Sequence, residues 1–522
     1  MEIKEFITRN KIFFLFTVGA GLWMGMLAAF SLMFSREVGF YNYLAKEDMS
    51  SDYEAIIPLS RYLIEPIVGI AFNLTFEGAY FVIAVLGLYI GFRLVYGLLK
   101  SKEKIHSDKF NLLSFMVRDL MWFAAKIAFV VIAVLLAYFL IALAVVGSAY
   151  AAYGMFYLLE IVIWAGLIAF TTKLAFLVFK YFKPTLRFNY AQKIASLRKG
   201  HKVLVGARKE IMYLFGFLFL FLSSTVVLKM TLFPTYVVEP KDLDDGEILI
   251  DFHCHTVESD GWLTPEERVL WYIQQGIHAA VFSDHDTPEG ALKAKRFVEA
   301  LDLDFTVIMG QEFSAGNHLN VYGIEERIIP EEKAYEGGPK AMSIKEMIEY
   351  VKEEGGYVTV NHYDREGEDS PYTPEEYLEF GVDGFEIINK QDLQSKEIRQ
   401  FCLDNDLVCL SGSDMHYNHE LYSFVRLELQ DPDDLSLDNI FTSLKNNTHQ
   451  TVLIEKHPAR VQFSGFWGNF GEFEDFSNYL MNLDAYQTLS WILWSLGGYL
   501  IVAFLYMRIK RLDVEKLREK IL

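Results

Sequence analysis

Apolar residues along this chain fall into two regimes. Up to about residue 234, and again from 488 to 507, they form long blocks with few charges; from 246 to 455 they come in short runs separated by amphipathic stretches. A helix needs about 20 mostly apolar residues to cross a hydrocarbon core of about 30 Å. Six blocks reach that length: 12–34, 78–99, 122–147, 152–180, 212–234 and 488–507. The first is too long for a signal-peptide core and no small-residue cleavage site follows it, so it reads as a retained anchor.

The short runs are 247–252, 279–283, 305–309, 319–323, 357–361, 384–388 and 407–411. Helix-like stretches lie between most of them: 265–276 (after the start signal Thr264-Pro265), 288–300, 343–355, 374–380 and 395–405. Strand and helix alternating over about 200 residues predict an α/β domain with a barrel-like or wound parallel sheet. The fold class is therefore an α-helical membrane region with six spans plus a soluble α/β domain. The implied segments are 1–234 with five spans, a hydrolase-sized domain at 235–458, a linker at 459–487, and a last span with its tail at 488–522.

Charge sharpens this division. Net charge is +10 over residues 1–234, −33 over 235–506 and +3 over 507–522. Connections alternate in sign: Lys4, Arg9 and Lys11 precede the first span, an acidic loop (Glu37, Glu47, Asp48, Asp52, Glu54) follows it, and the stretches 100–118 and 180–209 are basic. Lys/Arg-rich loops stay in the cytoplasm. Both termini are thus expected to be cytoplasmic and residues 235–487 extracytoplasmic, in a bacterial or archaeal cell membrane. A domain this acidic repels polyanions, which excludes nucleic acid as an expected partner. Three cysteines, Cys254, Cys402 and Cys409, are too few for a disulfide framework, although a Cys402–Cys409 bridge is open. Within the spans, Arg93, Lys126, Lys173 and Lys229 fall near predicted ends, where snorkelling accounts for them. Glu160 is placed deeper, and an intramembrane carboxylate is a functional candidate by default.

The chemistry gathers at strand ends. His253 and His255 share one face at the end of the first run, and Cys254 points the other way, into the core. Asp260 follows in a Ser-Asp-Gly turn; the second run ends in Ser-Asp-His-Asp with His285, the third in Gly-Gln-Glu with Glu312. His318 opens the fourth, His362 ends the fifth in Asn-His, and Asp414 and His416 close the seventh in Gly-Ser-Asp-Met-His. Any one of these could merely cap a helix or solvate a rim. Ten of the twelve histidines lie between 235 and 506, and six fall at strand ends on one side of the sheet, which that explanation does not cover. Imidazole and carboxylate donors suit Zn, Mn or Fe rather than a thiolate site. Nine such groups exceed what one ion can use, so two or three divalent transition-metal ions are expected.

Asp-Phe-His-Cys-His-Thr with Ser-Asp-Gly, Ser-Asp-His-Asp, Gly-Gln-Glu, His-Leu-Asn-Val-Tyr-Gly, Val-Asn-His and Gly-Ser-Asp-Met-His occur here in that order. In this the chain resembles the PHP (polymerase and histidinol phosphatase) domain, and its CehA/McbA-like branch most, over roughly 245–455. The resemblance implies a distorted seven-stranded β/α barrel and a trinuclear site. Carried over by position, it implies His253, His255, Glu312 and Asp414 on one ion. Glu312 would bridge to a second held by His318 and His362, and Asp260, His285 and His416 would hold the third.

Such a site fits hydrolysis of a phosphate ester by a metal-bound hydroxide, since clustered cations lower the pKa of water from 15.7 towards about 7 and neutralise phosphoryl charge. His253, His255, Asp260, His285, Glu312, Asp414 and His416 are the expected catalytic set. Asp284 and Asp286 are candidates to orient ligand imidazoles, Asp286 alternatively to cap the following helix. Arg365 and Lys390, just past strand ends, are candidate phosphate partners, and His419 reads as a surface residue. The series Phe463, Phe466, Trp467, Phe470, Phe473, Phe476 and Tyr479 makes one apolar face. That face either packs on the barrel or lies on the outer leaflet; the second would set the site close to the bilayer, and the expected substrate is a small or lipid-linked ester. Alternatives from other classes are a metal-containing sensor or scaffold without turnover, and a hydrolase of a non-phosphate ester.

Overall fold

A computed structural model of the chain describes residues 11–34, 38–73, 86–91, 93, 108–146, 155–182, 202–230, 236–363, 370–390, 392–418, 421–455, 462, 464–465, 468 and 471–521. Among these, four helices are long and apolar enough to cross a membrane: Phe13–Phe34, Met116–Val145, Tyr157–Phe179 and Ala485–Phe504. Of the two further expected spans, 212–234 is helical through residue 230, within Lys202–Met230. Most of 78–99 lies outside the described residues. The helix Lys202–Met230 packs through Met212 and Tyr213 on Met121 and Ala125 of the helix Asp108–Val146. Two of the expected snorkelling cations are instead paired between helices: Arg93 with Glu210, and Lys173 with Asp119 at 3.0 Å. Glu160 sits in the first turn of its span, not deep inside it.

The soluble region contains every expected strand and more. Ahead of it, the connection after the first span forms β1 (Gly39–Asn42), β2 (Glu47–Asp48) and β3 (Tyr53–Ile56). After the helix Lys202–Met230 come β4 (Val237–Pro240), β5 (Glu247–Cys254), β6 (Ala279–Phe282), β7 (Thr306–Ser314) and β8 (His318–Tyr322). Then follow β9 (Ile328–Pro330), β10 (Lys340–Met342), β11 (Tyr357–Val360), β12 (Gly384–Asn389) and β13 (Asp392–Leu393). The last are β14 (Val408–Gly412), β15 (Ser423–Glu428) and β16 (Gln450–Glu455). One sheet runs β13-β12-β11-β8-β7-β6-β5-β15-β16-β1-β2, with β14 beside β12.

The sheet is mixed, where the alternation predicts a parallel one. β5/β6, β6/β7, β11/β12 and β12/β14 are parallel, while β8 runs antiparallel to both neighbours. Only residues 315–317 separate β7 from β8. A parallel crossover needs a dozen or more residues, so this connection can only be a hairpin. The helices start as their sequences dictate: Thr264, Ser343 and Thr373 each close a capping box with the Glu three residues on. Their apolar faces pack on strands that are buried on both sides, as in the cluster of Val321, Val358, Phe385, Met347 and Ile398.

The connection at 39–56 belongs to this domain. β1 pairs with β16 and β3 with β4; Tyr43 Oη donates to Gln394 O at 2.8 Å, and Arg399 Nε to Tyr43 O at 3.0 Å. The helix Gly471–Met481 packs on the membrane helices, with Phe476, Tyr479 and Leu480 against Leu27 and Trp491, and not on the sheet. Phe463, Phe466, Trp467 and Phe470 lie outside the described residues. All three cysteines are buried and free, Cys254 in the core as expected.

His449 is buried with Nε2 2.7 Å from Cys409 O, and burial pushes its imidazole down to about 4. The unfolded chain takes this proton below about pH 6.5, the folded chain only near 4. Stability from this group is thus complete above pH 6.5 and lost as pH falls, by about 3 kcal/mol. In detergent, His449→Gln should lose less thermal stability between pH 7 and 5 than the unaltered protein; parallel losses would remove this assignment.

Candidate metal centre

Sheet geometry, not loop chance, brings the donors together. β5 carries one more residue than β6 between Asp251 and Cys254, a bulge that re-aims the strand end bearing His253 and His255. A single parallel bridge joins His285 to Glu312, setting the turn after β6 against β7. β8 returns beside β7 and opens with His318 opposite Ser314. His362 lies two residues past β11, and the turn after β14 is pinned to β5 by a bridge between Cys254 and Met415, flanked by Asp414 and His416. His253, His255, Glu312, His362 and Asp414 are buried; His285, His318 and His416 are partly open, and Asp260 is half exposed.

All nine donors predicted from the sequence converge. Glu312 lies at their centre, with Oε1 3.3 Å from His253 Nε2, 3.2 Å from His318 Nδ1 and 3.5 Å from His362 Nε2. Its Oε2 lies 3.4 Å from His255 Nε2 and 2.9 Å from His285 Nδ1. Asp414 Oδ1 is 3.1 Å from His255 Nε2, and Asp260 Oδ2 is 3.2 Å from His416 Nε2 and 3.5 Å from His285 Nε2. Three sets have donor atoms close enough to share an ion: His255, Asp260, His285 and His416; His253, His255 and Asp414; and His285, Glu312 and His318. These differ from the sets implied by resemblance: His255 and His285 are each shared between two, Glu312 falls in one rather than two, and His362 falls in none among the described residues.

The donors fit cations. Atoms bound at about 2.0–2.2 Å to one ion stand about 3.0–3.5 Å apart, the spacing seen here. His253 Nε2 and His255 Nε2 face each other at 3.1 Å. Glu312 Oε2 is buried yet accepts no hydrogen bond of good geometry, an arrangement that costs about 1–3 kcal/mol unless a positive charge compensates. Burial alone would raise the Glu312 carboxyl, but His253, His285 and His318 overcome it and hold it well below the usual range. Asp414 is likewise driven low against burial, chiefly by His416 and His253. Burial, with His416 and His285 adjacent, pushes His255 down to about 3, so it is neutral at pH 7, the form that ligates.

Behind the donors lie carboxylates that sequence reasoning passed over. Glu386 Oε1 is 3.1 Å from His253 Nδ1, and its Oε2 accepts from His362 N and Asn389 Nδ2 at 3.1 and 3.0 Å. A Cβ on Gly412 would fall 2.1 Å from Glu386 Oε1 and 2.5 Å from His253 Cβ, so this packing requires glycine. Asp251 accepts from Tyr272 Oη at 2.6 Å, Ser413 N at 2.9 Å and His253 N at 3.2 Å, tying the two ligand-bearing strands together. Burial raises its carboxyl to about 6. A carboxylate in the interior of each apolar run, Glu386 in 384–388 and Asp251 in 247–252, was the available signal.

Other expectations are corrected. Asp284 touches no imidazole; it accepts from Thr256 N, Thr256 Oγ1 and Ser259 Oγ at 2.6–2.7 Å and so fixes the loop that leads to Asp260. Asp286 does not cap the helix Glu289–Leu301, whose N-cap is Pro288; it accepts from Ser314 N at 2.9 Å and Lys333 Nζ at 2.6 Å, and Ser314 Oγ stands 2.7 Å from His285 Nδ1. Lys390 Nζ stands 2.8 Å from Asp414 Oδ2, at the site. Arg365 and His419 lie outside the described residues.

No family model matches the chain. Over 103 residues it is 31% identical to a 5'-3' exoribonuclease of Haemophilus influenzae, covering 19% of this chain and 37% of that enzyme, so it spans little more than a third of the relative's length. Solved structures with a similar fold carry several descriptions, among them an amidohydrolase of Chromobacterium violaceum, at 18% identity, 32% of this chain, 87% of that one and TM-score 0.25. Another is a two-domain protein of Bacteroides vulgatus assigned a PHP-like metal-dependent phosphoesterase domain, at 21% identity, 41% of this chain, 67% of that one and TM-score 0.34. A third is a protein of Bifidobacterium adolescentis assigned as a metal-dependent phosphoesterase, at 19% identity, 32% and 87% coverage, and TM-score 0.27.

Glu386→Gln keeps shape but removes the charge that orients His253. Metal affinity should fall about 10–100-fold, as for other outer-shell partners, with far-UV dichroism unchanged. Unaltered affinity in a metal titration would show that Glu386 only packs.

Proposed function

We propose that this is a membrane-anchored, metal-dependent phosphoesterase acting outside the cytoplasm. The observation that carries this reading is the convergence of nine imidazole and carboxylate donors, the buried Glu312 at their centre with five imidazoles on it. We read β5, β6, β7, β8, β11, β12 and β14 as a distorted seven-stranded barrel, supported by the β12/β14 pairing and the Cys254–Met415 bridge. Two or three divalent transition ions, Mn, Zn or Fe, suit the donor sets; bound there, such ions acidify water and neutralise phosphoryl oxygens.

This chain's own groups do the rest. His253, His255 and Asp414 present donors from fixed strand ends, with Glu386 and Asp251 behind them. Asp260, His285, His318 and His416 form the open rim at which an ester arrives. Lys390, beside Asp414, offers the positive charge that a phosphoryl oxygen needs. The exoribonuclease relative acts on RNA; a region with net charge −33 repels such a polymer, so we carry over hydrolysis of a phosphoester and not the nucleic acid. The acidic connection at 39–56, joined to the domain, supports the extracytoplasmic placement by the distribution of Lys and Arg.

Full-length protein in detergent, loaded with Mn, Zn or Fe in turn, should bind two or three equivalents and hydrolyse phosphomonoesters or phosphodiesters. His255→Ala should lower both the bound metal and the rate, the latter by at least about a hundredfold. Metal-loaded protein that binds phosphate tightly without turnover would make it a sensor instead.

A further inference from the structure

The open rim of the metal cluster is built against the membrane helices. Asp260, the most exposed donor, lies between two residues that touch the membrane region. Two positions before it, Glu258 Oε1 accepts from Tyr157 Oη at 2.6 Å, and Tyr157 is the first residue of the span Tyr157–Phe179. Lys293 Nζ completes that knot, 2.7 Å from Glu258 Oε1 and over the Tyr157 ring. Two positions after Asp260, Trp262 packs on Ile163 and Val226, alongside Leu159, Leu167 and Val227. Ile163 stands six residues, or about 9 Å, inside the span at 1.5 Å per residue.

The loop has little freedom to leave. Trp262 N donates to His416 O, Gly261 N to Thr256 O at 2.9 Å, and Val257 N to Leu263 O at 2.9 Å. Asp284 holds Thr256 and Ser259 from below. The Trp262 backbone is thus fixed to that of His416, itself a donor, while the indole lies among apolar side chains of two membrane helices. Tyr and Trp settle where hydrocarbon meets headgroups. Between them, Tyr157 and Trp262 set the depth of Asp260, His285 and His416 at the headgroup layer.

Resting on the phosphoesterase reading, we infer that the substrate is a phosphate ester carried by a membrane lipid, entering at the Asp260–His285–His416 rim while its acyl chains stay in the bilayer. A water-soluble ester would gain nothing from a site at this depth. A lipid is confined to the same surface as the site, which raises its effective concentration.

The test uses the full chain, Mn-loaded, in phosphatidylcholine vesicles doped with phosphatidate or phosphatidylglycerol. The water-soluble counterparts, glycerol 3-phosphate and glycerophosphoglycerol, are supplied to the same vesicles. We expect kcat/KM for one lipid to exceed that for its soluble counterpart by at least about tenfold. Trp262→Ala should shrink that ratio and Trp262→Phe restore most of it. A photoreactive phosphatidate should label residues 256–263 in the unaltered protein, a readout independent of turnover. Faster hydrolysis of the soluble esters, or labelling elsewhere, would overturn the lipid assignment and leave the phosphoesterase reading standing. No hydrolysis of any of the four by loaded protein would remove both. Should Trp262→Ala fail to fold, the comparison of lipid with soluble ester in the unaltered protein still decides.

Discussion

Glu312 cannot be buried where it is without positive charge around it. The Born cost of moving a carboxylate from water into a protein interior still amounts to several kcal/mol after relaxation, and Glu312 is not alone. Asp251, Asp284, Glu386 and Asp414 are also buried within the same strand ends. Asp251, Asp284 and Glu386 are satisfied by backbone amides, hydroxyls and His253, whereas Glu312 and Asp414 face mainly imidazole nitrogens, with Asn361 on Glu312 and Lys390 on Asp414. Cations held there would stabilise an acidic core so arranged, so that folding and metal binding would draw on one free energy.

The backbone at the site is strained in the same places. Among non-glycine residues with positive φ are His362 at 28°, Asp414 at 45°, Asp286 at 53° and Lys390 at 54°. Each such residue costs on the order of 1–3 kcal/mol and persists only where its surroundings over-determine it. Here they do. His362 N is held by Glu386, Lys390 N donates to Gly412 O at 3.0 Å, and Asp286 N donates to Glu312 O at 2.8 Å. A second bulge, between Glu386 and Ile388, sits where β12 supplies that support. The strands hold the donors by bending where a regular sheet would have aimed them apart.

These constraints decide what could be read from residues alone. The donors were legible because histidines are rare and strand ends are marked by the change from apolar runs to polar turns. Helix starts were legible because Thr264-Pro265 and Thr373-Pro374 carry their own capping chemistry. Glu386 and Asp251 were not, because a carboxylate in the interior of an apolar run announces burial without naming its partner. Asp284 was legible as important and misread as to object, since its partners are a backbone amide and two hydroxyls that any loop contains. β1 was invisible: its pairing with β16 joins positions about 400 residues apart, and four residues carry too little periodicity to predict it. The antiparallel β8 was missed by treating alternation as a rule, when three residues of connection already forbade it.

The membrane helices share in the same logic of enforced contact. Glu65 is buried in the helix Leu59–Asn73 and is held by Arg61 at 2.9 Å, Tyr479 Oη at 2.6 Å and Gln487 Nε2 at 3.1 Å, while Trp491 Nε1 donates to Tyr479 Oη at 3.0 Å. A Cβ on Gly69 would collide with the Tyr479 hydroxyl, so glycine is what lets these elements meet. This knot joins the helix that follows β3 to the last span and to the helix Gly471–Met481. β1 and β3 in turn are strands of the soluble domain. A purely flexible tether would need neither a buried ion pair nor a strand exchanged across the chain. Both fix the domain to its helices, as Trp262 and Tyr157 fix the rim of the donor cluster. The orientation of the site relative to the apolar helices is therefore a property of the fold, set by packing on two independent faces.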